Sequence, residues 1–305
     1  MSHFANQSIA LLKGGPGSER PVSLAASGAV ARGLRDLGAV VSEVDVQGPD
    51  FVLPEGTQLA FINIYGTFGE DGQIQRELER RGVRYTGEGV RVSELAFDKI
   101  ESKQRFVEAG VPTPAYEVVE GGVTPTLPLP YVIKAPKEGS SVGIFIVKTP
   151  EEVAPAVEQA AKYGRLLVEE FIPGRELTVG VLGRQALPII EIRPAEGFYD
   201  FNNKYPFLDP QGKGAADHFC PAPLDEAATR NIQELALKAT QALGLEVYCR
   251  VDFLLRDDGT AVVLEINTIP GMTQASLLPE AAAAAGITFP GLCERILELS
   301  LAKTV

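Results

Sequence analysis

The chain has 305 residues, of which 45% are hydrophobic and 22% charged, and its formal net charge is −12. This length suits two or three domains, and the composition is that of a globular protein rather than a disordered or coiled-coil one. The negative charge argues against nucleic acid or an anionic membrane as a partner, so a bound phosphate must be held by a local site.

Cysteine and histidine offer little for metal or redox chemistry. The three cysteines, Cys220, Cys249 and Cys293, show no C-x-x-C spacing and are predicted to be buried thiols. The histidines are His3 and His218, so a metal would have to bind carboxylates. No basic segment precedes a long apolar stretch, and no run reaches the ~20 apolar residues of a membrane span. We therefore expect a soluble, cytoplasmic protein.

Residues 1–93 alternate strand and helix patterns. An apolar run at 9–12 ends in a glycine-rich turn at 14–19, and a helix pattern follows. Further strand patterns at 40–46 and 59–65, with a helix pattern at 73–81, predict a parallel α/β domain. The turn itself has two interpretations, a tight β-to-α connection or an anion site. Glu19 in the turn favours a site that receives a substrate ammonium.

Residues 94–183 have a different, β-rich pattern. Ser93 is positioned to cap a helix that runs to residue 109. Thr149 and Glu152 form a capping box for a second helix. Strand patterns cover residues 131–134, 144–148, 166–171 and 177–182. We predict a small central domain over 94–183.

Residues 184–305 begin with a stretch of little periodicity. Such long irregular segments are usually functional or disordered, and we expect a mobile loop at about 194–220. A helix pattern at 226–243, a β-hairpin at 247–268 and further helices follow. The overall prediction is an α/β and α+β fold, with a larger α+β domain at the C-terminus.

A second glycine-rich segment, residues 138–143, follows Lys134 and Lys137 between two strands. It could be a flexible turn. Backbone N–H groups, hydroxyls and two nearby lysines can also cover nucleotide phosphates, and this interpretation is favoured.

The hairpin at 247–268 carries the most specific signal. Its Asp-Gly pair at 258–259 predicts a two-residue type I′ turn. That turn places Asp252 opposite Glu265, and Arg250 opposite Asn267, all on one face. The other face then carries an apolar stripe of Val251, Phe253, Leu255, Val262, Leu264 and Ile266.

Opposed carboxylates repel each other and need a cation. Arg250 could supply it, which would make a structural ion cluster. Alternatively Asp252 and Glu265, with the Asn267 amide oxygen, could bind Mg²⁺, which prefers oxygen ligands and completes its shell with phosphate oxygens and water. The concentration of polar groups on an otherwise apolar strand pair favours the metal site.

These residues and further motifs resemble the D-alanine:D-alanine ligase family of the ATP-grasp superfamily over nearly the whole chain. The motifs are Gly-Gly-Pro-Gly-Ser-Glu-Arg-Pro-Val-Ser at 14–23, Gly-Glu-Asp-Gly at 69–72, Asp98-Lys99, Glu-Gly-Ser-Ser-Val-Gly at 138–143, Phe-Tyr-Asp at 198–200, Lys204-Tyr205, and Leu-Glu-Ile-Asn-Thr-Ile-Pro-Gly-Met-Thr at 264–273.

The resemblance implies how ATP and metal are bound. Residues that would hold the ATP phosphates are Lys99, Lys134 and Lys204. The adenine would lie against Glu169, Glu170, Phe171 and Ile172, and the ribose against Glu176. Two Mg²⁺ or Mn²⁺ ions would bind Asp252, Glu265 and Asn267.

The resemblance also implies how the amino acids are bound and joined. Glu19 would receive the ammonium of a first D-alanine, with Ser140 and Tyr205 linking the mobile loop to it. Ser276 would take the carboxylate of the second D-alanine. Arg250 and the backbone N–H of Gly271 would form an oxyanion hole. The reaction would pass through an acyl phosphate that the second amine attacks, as a step in peptidoglycan synthesis, and the enzyme would be a homodimer.

One residue departs from the family pattern, since Tyr65 stands where members commonly have histidine. A tyrosine can donate a hydrogen bond to a substrate carboxylate, but its pKa near ~10 makes it a poor base at neutral pH. Two alternatives stay open at this stage. One is another ATP-grasp ligase, for D-lactate or a different amino acid, and the other is a nucleotide-binding module without turnover.

Overall fold

The computed structural model describes residues 3–139, 142–194, 216–273 and 275–303. The α-helices are α1 (Arg20–Asp36), α2 (Gln73–Arg80), α3 (Val90–Phe97), α4 (Lys99–Glu108), α5 (Pro150–Ala160), α6 (Glu226–Leu243), α7 (Leu277–Ala284) and α8 (Phe289–Ala302), and a 3₁₀ turn covers Ala161–Tyr163. The strands are β1 (Ser8–Gly14), β2 (Val40–Val46), β3 (Leu59–Asn63), β4 (Arg84–Tyr85), β5 (Tyr116–Val119), β6 (Tyr131–Lys134), β7 (Ile144–Val147), β8 (Leu166–Glu170), β9 (Arg175–Leu182), β10 (Gln185–Ala186), β11 (Ile190–Arg193), β12 (Asp217–Phe219), β13 (Tyr248–Leu255) and β14 (Ala261–Asn267).

The first sheet has the order β2-β1-β3-β4, with its strands parallel. Every residue of β3 is buried, as expected for a parallel sheet covered on both faces. Helix α1 packs on it with residues four apart, Val22, Ala26, Val30 and Leu34. The predicted parallel α/β fold of this part is confirmed.

The second sheet is antiparallel with the order β5-β8-β6-β7, and α5 covers it. Helix α5 begins at the predicted capping box, in which Thr149 and Glu152 each bond the backbone of the other. This arrangement satisfies N–H groups that the helix leaves unpaired at its N-terminus.

The third sheet has the order β12-β11-β9-β13-β14, with β10 on β9. Residues 177–182, expected among the central strands, lie in β9, which pairs with β11 and β13 in this sheet. Part of the expected long loop also differs, because Asp217–Phe219 forms an edge strand beside β11. The rest of that loop, residues 195–215, lies outside the described residues.

The helix predicted from Ser93 to residue 109 is two helices. Asp98 has extended φ and ψ, and its side chain accepts hydrogen bonds from the backbone N–H groups of Ile100 and Glu101. An aspartate in this position caps a new helix, so the chain turns at Asp98 and Ser93 lies inside α3 instead of capping it. The turn brings Lys99 to the start of α4.

The β13–β14 hairpin has the predicted register at its two pairs of polar residues. Arg250 pairs with Asn267 and Asp252 with Glu265. The turn, however, is not a two-residue one, because the N–H of Arg256 bonds the carbonyl of Thr260 and closes a three-residue loop.

A β-bulge compensates for the longer loop. Pairing shifts between Asp252 and Phe253, so that Phe253 faces Val263. Val263 therefore lies in the core, and Leu264, expected there, is only half-buried. Among the described residues, no helix combines the length and apolarity needed to cross a membrane.

Candidate active site

The glycine turn before α1 is a tight connection whose N–H groups are used internally. The N–H of Gly14 donates to Ser23 Oγ at 2.8 Å, and that of Gly15 to the Val46 carbonyl at 2.7 Å. The turn instead positions Glu19 so that it lines a cavity. A Cβ at Gly66 or at Gly139 would collide with the Glu19 carboxylate, so both glycines permit a close approach that other residues would block.

The cavity lies where the N-terminal sheet, the glycine-rich segment after β6 and the β13–β14 hairpin meet. The predicted site residues that line it are Glu19, Tyr65, Lys99, Arg250, Glu265, Asn267, Gly271 and Ser276. Asp252 is not among the lining residues, but it accepts hydrogen bonds from Arg250, which is. Ser140, Lys204 and Tyr205 lie outside the described residues.

Each carboxylate of the hairpin pair has its own cation. Asp252, 8% exposed, accepts two hydrogen bonds of 2.8 Å from Arg250, one of 2.6 Å from Thr178 and one of 3.0 Å from Asn267. Glu265 lies 3.1 Å from Nζ of Lys99. The like-charge repulsion expected from the register is therefore offset on both strands.

Lys99 links the hairpin to the glycine-rich segment. In addition to its contact with Glu265, its ammonium donates to the carbonyl of Glu138 at 2.8 Å. Gly139, the next residue, lies against Glu19. One lysine thus joins the carboxylate face to the segment that the sequence predicts to cover phosphates.

The residues predicted to bind adenine lie at the end of β8, away from this cavity. Glu169 is 1% exposed and contacts the ammonium groups of Lys134 and Lys103. Glu170 points the other way, toward Arg256 and the N–H of Ala115.

The neighbouring predictions are placed as follows. Phe171 lies 5.3 Å from Nζ of Lys148, measured to the ring centre, and Ile172 is buried. Glu176 lies on β9, opposite Leu254 of β13. These residues follow one another along the connection between the second and third sheets.

Sequence reasoning missed Lys103. The one indication in the sequence was the position of Lys103, three residues after Ile100 and three before Phe106, which places it on the buried face of α4. A lysine in that stripe is normally assigned to the solvated side, so its burial could be found only from the fold.

Tyr65 links the end of β3 to the segment that carries Gly271. Its hydroxyl donates to Asn63 Oδ1 at 2.7 Å and accepts from the N–H of Met272 at 3.1 Å. Both contacts are buried. The residue that departs from the family pattern thus fixes the position of a predicted oxyanion donor.

Ser276 occupies the N-cap position of α7. Its hydroxyl accepts a hydrogen bond of 2.9 Å from the N–H of Thr273 and lies 2.8 Å from the Thr273 hydroxyl. The N-terminus of a helix has unpaired N–H groups and a positive partial charge. This position suits a substrate carboxylate.

Glu70 is a second residue that sequence reasoning did not assign, although its Gly-Glu-Asp-Gly motif was recognised. It lines the cavity, and its carboxylate accepts a hydrogen bond of 2.9 Å from the N–H of Gly66. Burial, followed by the nearby Glu19 carboxylate, raises the pKa of Glu70 to about 8. Burial and the like charge of Glu19 therefore favour the protonated form of Glu70.

Glu70→Gln is expected to stabilise the apo protein at pH 8 and to change little near pH 4. The pKa of Glu70 is raised from 4.5 to about 8 on folding. Its contribution is therefore fully present below the unfolded pKa and is lost as the pH rises through the folded value. Glutamine stays neutral throughout. Thermal melts of both proteins across this range measure the effect, and a difference that does not grow with pH would contradict it.

The three sheets and the site define a class of protein. A parallel N-terminal sheet, two antiparallel sheets and a carboxylate pair on the last hairpin form the ATP-grasp fold, as the match to solved structures confirms. The family model described as D-ala D-ala ligase C-terminus matches residues 106–298. The chain belongs to the D-alanine–D-alanine ligase family.

Several known proteins of this family match the chain over nearly their full lengths. The D-alanine–D-alanine ligase of Methylacidiphilum infernorum is 48% identical, covering 96% of this chain and 95% of the relative. That of Citrifermentans bemidjiense is 44% identical and covers 99% of each. The crystal structure of the Bacillus anthracis enzyme complexed with ATP is 30% identical, with a TM-score of 0.82 over 97% of both chains.

Proposed function

We propose that the protein joins two D-alanines into D-alanyl-D-alanine for peptidoglycan synthesis, with ATP converted to ADP and phosphate. The observation that carries the proposal is that one cavity is lined by Glu19, Arg250, Glu265, Gly271 and Ser276. These groups supply an ammonium acceptor, a cation, a metal-type carboxylate, a backbone donor and a helix N-terminus. The family membership supports the same reaction.

We propose that Asp252, Glu265 and Asn267 hold two Mg²⁺ or Mn²⁺ ions. Within the described ranges no three His, Cys, Asp or Glu side chains cluster as metal ligands. Asp252, Glu265 and Asn267 share the paired face of the hairpin, and phosphate oxygens and water would complete the oxygen donor set that Mg²⁺ prefers. When bound, the ions would neutralise charge on the transferring phosphoryl group.

For the nucleotide, we propose that Lys99 and Lys134 bind ATP phosphates, with Lys204 as a third cation outside the described residues. Glu169, Glu170, Phe171 and Ile172 are proposed to line the adenine, and Glu176 to bind the ribose. The support is that Lys134 and Glu169 are already in contact, and that the Bacillus anthracis relative was crystallised with ATP.

For the amino acids, we propose that Glu19 binds the first ammonium and that Ser276 and the α7 N-terminus bind the second carboxylate. Arg250 and the N–H of Gly271 would stabilise the oxyanion that forms when the second amine attacks the acyl phosphate. Tyr65 supports this step through its bond to Met272.

The remaining proposals concern regions and assembly. Ser140 and Tyr205, both outside the described residues, are proposed to connect a closing loop to Glu19, which would exclude water from the acyl phosphate. We also propose a cytoplasmic homodimer with an N-terminal domain near 1–93. The boundary expected between 94–183 and 184–305 is moved to before residue 175, because β9 pairs within the third sheet. Light scattering of the purified chain tests the dimer.

Phosphate release tests the function, with D-alanine, L-alanine and D-lactate offered singly and in pairs with ATP and Mg²⁺. We expect release with D-alanine alone, together with D-alanyl-D-alanine detected by mass spectrometry. A requirement for D-lactate would identify the other ligase type, which the names of the relatives do not favour. Nucleotide binding without release would identify a binding module.

A further inference from the structure

We propose that Lys103 is a positioning residue that keeps Glu169 paired, so that Lys134 can leave Glu169 and bind the phosphates of ATP. The inference rests on the proposed nucleotide site and adds to it a residue that does not touch the nucleotide. Two lysines, Lys103 and Lys134, contact the single carboxylate of Glu169, so the cluster contains more positive than negative groups.

The two lysines differ in their exposure to solvent. Lys103 is fully buried and contacts one oxygen of Glu169, whereas Lys134 contacts the other oxygen with its side chain 14% exposed. The ammonium of Lys103 also donates to the hydroxyl of Thr113 at 2.5 Å. That hydroxyl in turn donates to the Val263 carbonyl at 2.8 Å. Lys103 is thus fixed by both neighbours, while Lys134 lies at the edge of the cluster.

Burial makes a permanent partner necessary. Glu169 is 1% exposed, and removing one partner of a buried ion pair leaves an uncompensated charge in the protein interior, which is strongly unfavourable. If Lys134 alone neutralised Glu169, ATP would have to overcome that cost each time it drew Lys134 away. With Lys103 in place, the carboxylate stays paired and the cost is avoided.

The electrostatic environment of Lys103 fits this exchange. Burial lowers the pKa of Lys103, and the neighbouring Lys134 ammonium lowers it further, whereas Glu170 and Glu265 act in the opposite direction. When the phosphates of ATP draw the Lys134 ammonium away, its lowering effect on the pKa of Lys103 weakens. Lys103 is then better able to hold a proton beside Glu169 at the moment when it is the sole lysine there.

The Val263 contact connects this cluster to the hairpin. The Thr113 hydroxyl and the carbonyl of Pro112 bond the two backbone groups of Val263 at the bulge of β14. Glu265 follows two residues later on the same strand. Thr113 offers a control, because its replacement removes the link to Val263 and one hydrogen bond of Lys103 but leaves the Lys103 ammonium beside Glu169.

A double-mutant cycle tests the proposal, with the dissociation constant for ATP measured by titration calorimetry in the absence of amino acids. Lys103→Met is expected to weaken ATP binding about 10-fold. In a Glu169→Gln background the same change should have less than about a twofold effect, because a neutral amide does not retain Lys134. Adenosine, which lacks phosphates, should bind Lys103→Met and the unchanged protein equally.

Controls separate positioning from loss of stability. Thr113→Val is expected to lower the melting temperature while leaving ATP affinity within about twofold. If Lys103→Met is too unstable to assay, Lys103→Gln replaces it, because its side chain is polar but carries no charge. Unchanged ATP affinity, an equal loss in the Glu169→Gln background or an equal loss for adenosine would each overturn the proposal. Absence of ATP binding by the unchanged protein would overturn the proposed function as well.

Discussion

Glu265→Gln is expected to reduce phosphate release with D-alanine by about 100-fold or more, while sparing the stability of the apo protein. The carboxylate is a proposed metal ligand, and metal charge on a transferring phosphoryl group contributes several kcal/mol to catalysis. The apo pair with Lys99 is partly exposed, at 30% and 14% for the two side chains. Such pairs contribute about 0–1 kcal/mol, and the loss is offset because repulsion from Asp252 also disappears.

A structural role for Glu265 predicts the opposite result. In that case the variant would unfold more easily and still turn over. Thermal melts read beside phosphate release at saturating Mg²⁺ distinguish the two. Glu43→Gln is the control, since Glu43 is 31% exposed and pairs with Lys13 at 2.8 Å in the N-terminal sheet. We expect wild-type phosphate release from that variant.

The carboxylate face was predictable because strands repeat every two residues. Any hairpin that placed Asp252 opposite Glu265 had to bring Arg250 and Asn267 to the same face, and the structure has this register. The turn was wrong because an Asp-Gly pair is compatible with a three-residue loop as well as a two-residue one. The bulge after Asp252 corrected the register, and neither feature has a distinct local sequence signal.

Other parts of the site required the fold. Lys103 and Glu70 are charged residues in ordinary helical or turn sequences, and nothing local shows that they are enclosed. Their environments come from segments far along the chain, such as Glu169 for Lys103. The helix break at Asp98 was missed for a different reason. Asp98 is a helix-capping residue, but the apolar pattern continues across it and therefore predicted one uninterrupted helix. Local sequence patterns predicted the helices and strands well, whereas the surroundings of the enclosed charged residues depend on contacts with distant segments.

Arg250→Met is expected to impair both catalysis and stability. The guanidinium donates two hydrogen bonds of 2.8 Å to Asp252, and both side chains are largely buried. Removing one partner of such an enclosed pair leaves the other charge uncompensated, so we expect the free energy of unfolding to fall by about 3 kcal/mol.

The catalytic effect of Arg250→Met follows from its place in the cavity beside Gly271. Loss of one oxyanion donor typically lowers kcat by about 10²–10³-fold. Arg250→Lys keeps the positive charge but cannot make the two parallel hydrogen bonds to Asp252. Its kcat and its free energy of unfolding should therefore lie between those of the wild-type protein and of Arg250→Met. Arg175→Met is the control, because Arg175 makes the same two-bond contact with Glu191, which Arg193 continues to pair. Single-turnover phosphate release and denaturant unfolding measure both effects. An Arg250→Met enzyme with kcat near that of the Arg175 control would show that Arg250 has no part in the chemical step.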